Sequence, residues 1–149
     1  MSSRIEQSFV ALATLLGTIP GVTVERNRDI PVDLIAGATG FVVTDGSDQD
    51  GYPIAMQREY EFRVGALVQG YVARNTFAEL GPALDALWGV TFVTLADNPR
   101  LLNGADTLTT NVEVGPTERE LQTEQKKPTM AFRLPVTLWV HTNLSALVA

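Results

Sequence analysis

Apolar residues recur along this chain at two periods, and the switches between them lay out its elements. Ile5, Phe9, Leu12 and Leu16 fall at i, i+4, i+7 and i+11, one face of a helix. Ser3 and Glu6 form a capping-box pattern at its start, and Gly17 and Pro20 predict its end. After Gly21, Val22 and Val24 share one side of a short strand, and residues 27–33 read as an extended connection. Residues 41–44 predict a second strand, closed by the turn or mobile-tip chemistry of 45–51. Tyr60, Phe62, Val64, Ala66 and Val68 then alternate with Glu59, Glu61, Arg63 and Gly65 in a long strand ending near Val72.

The second half repeats the alternation of periods. Thr76 and Glu79 predict the start of a second helix, with Phe77, Leu80, Leu84, Leu87 and Trp88 facing inward. Pro82 is tolerable in the first turns, and Gly89 is a plausible stop. Residues 90–95 read either as a strand or as a continuation toward the next turn. Residues 97–104 are turn-rich, with one helical turn expected at 99–102. Leu108, Thr110, Val112 and Val114 alternate with polar neighbours as a strand. The clearest strand is the last, where Met130, Phe132, Leu134, Val136, Leu138 and Val140 point one way. Pro135 suggests an edge position or a bulge there.

The order α-β-β-β-α-(β)-β-β predicts an α+β fold: a mostly antiparallel sheet against two main helices, with a long hairpin loop. We expect one domain over residues 1–142, with residues 115–129 projecting as a loop and 143–149 forming an apolar tail. At 149 residues the chain is long enough to bury about 70% of its unfolded surface.

Composition narrows the function. The formal net charge of −6 works against a nucleic-acid binder, which needs a basic footprint, although an acidic wall suits a channel through which DNA passes. Cysteine is absent, so neither disulfides nor thiolate metal sites exist. The N-terminal segment is amphipathic instead of signal-like, and no apolar run reaches membrane-spanning length, so a soluble protein without a membrane partner is expected.

Candidate chemistry is sparse. His141 stands alone without a nucleophile elbow, so a structural strand histidine is the favoured reading. Asp45, Asp48 and Asp50 precede Gly51 as in a calcium loop. Counting back from that glycine, however, puts Gly46 at the first ligand position and Gln57 at the closing one, so a solvated turn is favoured. Residues 37–40 are too short for a phosphate loop and carry no lysine. No enzyme activity, metal or cofactor is expected. Arg26 and Arg28 suit either solvation or a grip on a neighbouring subunit's carboxylate. Trp88 and Trp139 suit the core or an interface.

The stretch 115–129 balances Glu118, Glu120 and Glu124 against Arg119, Lys126 and Lys127, with Leu121 apolar. A floppy loop and an arm that orders on a partner are both open readings. Interface candidates are therefore Arg26, Arg28, Asp45, Asp48, Asp50, the six charged residues of 115–129, and Leu144 and Leu147 of the tail.

The order of segments adds one comparison: an amphipathic helix, Val22-Thr-Val-Glu-Arg26-Asn27, the strand and turn 41–46, a long strand, the helix from Thr76 to Trp88, then Leu95-Ala-Asp-Asn-Pro-Arg-Leu-Leu-Asn-Gly104 and a closing hairpin. Over nearly the whole chain this resembles the tail terminator (tail completion) proteins of long-tailed phages and phage-like tail particles. The resemblance implies a structural virion protein closing into a homohexameric ring at the head–tail junction, assembled in the host cytoplasm. It implies as partners other copies of the chain, the tail tube protein and a head-side connector, with DNA only transiting the lumen. Readings from the same or other classes are another neck or tube component, a ligand-binding module, or a small enzyme.

Overall fold

The computed structural model describes residues 3–27, 34–53, 59–104, 106–122 and 125–143. Helix α1 spans Arg4–Gly17, and the Ser3 side chain caps it by accepting from the Glu6 amide at 3.2 Å. Ile5, Phe9, Leu12 and Leu16 are all buried, as their spacing requires. Glu6 does not complete the capping box, because its carboxylate turns to Arg26.

The strands are β1 (Thr23–Arg26), β2 (Thr39–Pro53) and β3 (Glu59–Ala73). After them come α2 (Leu80–Asp97), the short β4 (Leu102–Asn103) and β5 (Asp106–Thr107), then β6 (Thr109–Val114), β7 (Glu118–Gln122) and β8 (Thr129–Asn143). The main sheet runs β1-β2-β3-β8-β6, with β7 also on β8 and β4-β5 a separate hairpin. Every pairing is antiparallel except β1 with β2. The chain is thus α+β, with a mostly antiparallel sheet whose apolar side packs on two helices.

The core lies between that side and the helices. Phe41, Val43, Val64, Val68, Phe132, Leu134, Leu138 and Val140 meet Leu12, Leu16, Leu84 and Leu95, all buried. Each large aliphatic side chain buried there contributes about 1.5–3 kcal/mol. On the opposite side, Val42, Tyr71 and Ala131 form a small buried patch with Leu34 packed on it.

Several expectations are corrected. Residues 45–51 are not a turn: β2 continues to Pro53, and the polar residues form an irregularity between Asp45 and Gln49. Gly46 serves that bulge, since a methyl there would lie 2.3 Å from the Gly65 carbonyl oxygen. Gly89 does not stop α2, and residues 90–95 are helical, continuing to Asp97. Phe77 lies in a 3-10 turn (Phe77–Glu79) and is exposed instead of facing inward. Residues 99–102 form a bend leading into β4, not a helical turn. Thr110 is exposed and Thr109 buried, because a register shift between Thr109 and Asn111 reverses the sides.

Pro135 is neither at an edge strand nor in a bulge of its own strand. It pairs with Leu67 on one side. On the other, its carbonyl accepts from the Gly115 amide at 2.8 Å, at the break between β6 and β7. Since a strand residue's N–H and C=O face the same neighbour, the missing N–H falls where the ladder is already interrupted.

The stretch expected to project, 115–129, contains β7, which lies along β8 from Glu118 opposite Arg133 to Gln122 opposite Thr129. One strand, β8, is therefore covered along its outer side by β6 and β7 in succession.

Candidate assembly surface

Arg26 ends β1 and finds carboxylates within its own chain. Its Nη1 donates to Glu6 Oε1 at 2.6 Å, and its Nη2 reaches Asp45 Oδ1 and Oδ2 at 2.8 Å each. The guanidinium also lies 5.6 Å from the centre of the Phe9 ring. Its pKa is raised, first by the Glu6 hydrogen bond; burial opposes the shift, and Asp45 reinforces it. Next to it, Asn27 takes a left-handed φ of 53°, and its side-chain oxygen accepts from the Asp45 amide at 3.0 Å. Asn is among the few residues that adopt this conformation readily. Arg26 and Asp45, both named from sequence as interface candidates, are thus brought together as a clasp between α1, β1 and β2. Arg28 lies outside the described residues. So do the side chains of Asp48 and Asp50, although their backbone belongs to β2.

A second arginine clasp gave no sequence signal. Arg4 donates through Nε to the His141 carbonyl at 2.9 Å, through Nη1 to Asp106 at 2.6 Å and through Nη2 to the Thr107 carbonyl at 2.6 Å. It ties the start of α1 to β5 and to the end of β8. His141 itself is half-buried. Opposite the helices, Arg63 stacks over Trp139 at 4.3 Å across the β3–β8 pair.

The β7 segment is fastened to α2. Trp88 Nε1 donates to Thr117 Oγ1 at 2.8 Å, and Arg119 pairs with Asp85. Trp88 also stacks on Phe92, with ring centres 5.5 Å apart. Glu118, Glu120, Leu121, Lys126 and Lys127 remain exposed. Glu124, Leu144 and Leu147 lie outside the described residues.

Two apolar surfaces were missed from sequence. Between α1 and the segment 98–104 lies a groove of about 550 Å³, lined by Val10, Leu15, Leu101 and Leu102 among others. Val10 and Leu102 are 48% and 55% exposed, too open for core residues. The outer side of α2 carries exposed Val90, Phe92 and Val93, with no charged residue between Asp85 and Asp97. A helix apolar on all sides is expected to be buried on all sides. The signal was available at Val10 and Val93, which lie off the faces that the periodicity assigns to the core.

Among the described residues, no group of three or more His, Asp or Glu is placed to hold a metal, and no helix is long and apolar enough to cross a membrane.

An α+β domain with a two-helix layer on one side of a mostly antiparallel sheet is the class this geometry defines. Its fold is similar to that of a chain from the virion of a native gene transfer agent (GTA) particle, with a TM-score of 0.50 and 15% identity over 94% of this chain and 92% of that one. No protein-family model matches the chain, and no curated protein does.

Proposed function

We propose that this chain is a structural virion protein that acts as a tail terminator. In this reading its copies close into a ring that caps the tail tube and stops its polymerisation.

 The ring's head-side surface then receives the connector, and DNA passes through the lumen. What carries the reading is the fold likeness, over 94% of this chain, to a chain from the virion of a gene transfer agent particle. The order of sequence segments and the exposed apolar surfaces on α1 and α2 support it. Head-to-tail contacts that close on themselves leave two unlike ring faces, one for the tube and one for the connector.

The test is imaging of purified tail tubes assembled without this protein, before and after its addition. Capping at one end of each tube, with elongation arrested, is the expected result. Binding along the tube wall, or none at all, would overturn it.

A further inference from the structure

Two exposed apolar features stand at opposite ends of β8. Leu121 of β7 sits opposite Met130 and is 44% exposed. The groove beside α1 lies at the other end: the Leu101 amide donates to Thr109 Oγ1 at 2.8 Å, and Thr109 pairs with Val140. From Met130 to Val140 the strand rises on the order of 33 Å. A chain therefore cannot place its own Leu121 in its own groove.

The charges of the two features are complementary. Among the described residues, Arg100 is the charged residue lining the groove and no acidic residue lines it, although the chain as a whole is acidic. On β7, Arg119 is engaged by Asp85, while Glu118 and Glu120 are exposed. A strand edge entering a groove meets both walls, so an apolar side chain can reach the floor while a neighbouring carboxylate meets the rim.

We infer that a second copy of this chain seats its β7 edge in the groove between α1 and residues 98–104. Leu121 packs on Val10 and Leu102, and Glu120 faces Arg100. The contact joins unlike patches, so each added copy leaves one patch of each kind open until a ring closes. It rests on the ring reading above and names the surfaces that make the ring.

The test uses the purified full chain, Leu102→Asp and Leu121→Asp in sedimentation velocity, with circular dichroism to confirm folding. Both positions are exposed enough for the variants to fold. Wild type is expected to associate beyond a dimer. Each variant is expected to need about tenfold or more higher concentration to associate, because a charge is placed in the centre of the contact. A 1:1 mixture of the two variants retains one good groove and one good β7, so it should form heterodimers that grow no further. A wild type that stays monomeric at every concentration, a variant that assembles like wild type, or a mixture that stays monomeric would each overturn the inference. If Leu102→Asp still caps tubes, this contact fails while the terminator reading stands. If heterodimers form and wild type leaves tubes uncapped, the contact stands and the terminator reading fails.

Discussion

Phe132 occupies the space that a side chain at position 70 would need: a methyl on Gly70 would fall 2.4 Å from Phe132 Cζ. Gly70 lies between Phe41 on β2 and Phe132 on β8. The two rings meet edge to face over it, with centres 6.5 Å apart and planes at 68°. Both rings are fully buried, so neither can swing into solvent. Gly70→Ala should therefore destabilise the protein by about 2 kcal/mol, as overpacking a filled core does. Pairing it with Phe132→Leu should recover part of the loss, read as a coupling in a double-mutant cycle of urea unfolding. Additive losses would show that the ring is not what excludes the methyl.

The Arg26 clasp gives a second expectation, with a definite sign in pH. A raised arginine pKa contributes stability that is fully present below the unfolded-state value and is lost only as pH rises through the folded one. Both values lie far above the neutral and mildly alkaline range, so the contribution stays constant through it. Arg26→Ala should cost about 1–2 kcal/mol, since it frees two carboxylates and uncovers Phe9. The difference from wild type should be equal at about pH 7 and about pH 10. Arg26→Lys keeps the charge but cannot reach Glu6 and Asp45 with one planar fork, so less than half of the loss should return. A gap between wild type and Arg26→Ala that narrows at the higher pH would contradict this.

The fold was legible wherever one period ran long enough to bury one side. The i, i+4, i+7, i+11 residues of α1 and the alternation from Met130 to Val140 are both found in the core. Boundaries set by tertiary packing were not legible. Gly89 has the composition of a helix stop, yet Thr91 and Leu95 beyond it are buried, and packing carries the helix through. The glycines and aspartates of 45–51 are turn formers, but the partner strand β3 extends far enough to pair with Asp45 and with 49–51, leaving only a local irregularity between Asp45 and Gln49. Arg26 and Asp45 were named from sequence as interface candidates. Their partners turned out to be each other and Glu6, far apart in sequence, which no local spacing reveals. The groove residues gave only a negative signal, apolar side chains off the core-facing stripe.

The joint between β6 and β7 gives the last expectation. Trp88 and Asp85 of α2 hold Thr117 and Arg119 across it, by one neutral hydrogen bond and one exposed ion pair. The hydrogen bond contributes about 1 kcal/mol, and the ion pair about 0–1 kcal/mol because both partners are well solvated. Among the described residues, 118–122 are otherwise held by the β8 ladder, whose other side is secured by the full length of β3. Thr117→Val combined with Arg119→Ala should therefore loosen this segment without melting the domain. Hydrogen exchange should speed up at the amides of Glu118–Gln122 and stay slow along β3. The midpoint of thermal unfolding should fall by less than about 8 °C. Uniformly faster exchange across β3 and β8 would show instead that the joint is part of the cooperative core. It would also make Leu121→Asp an unsuitable probe of self-association, since a change on β7 would then reach the whole sheet.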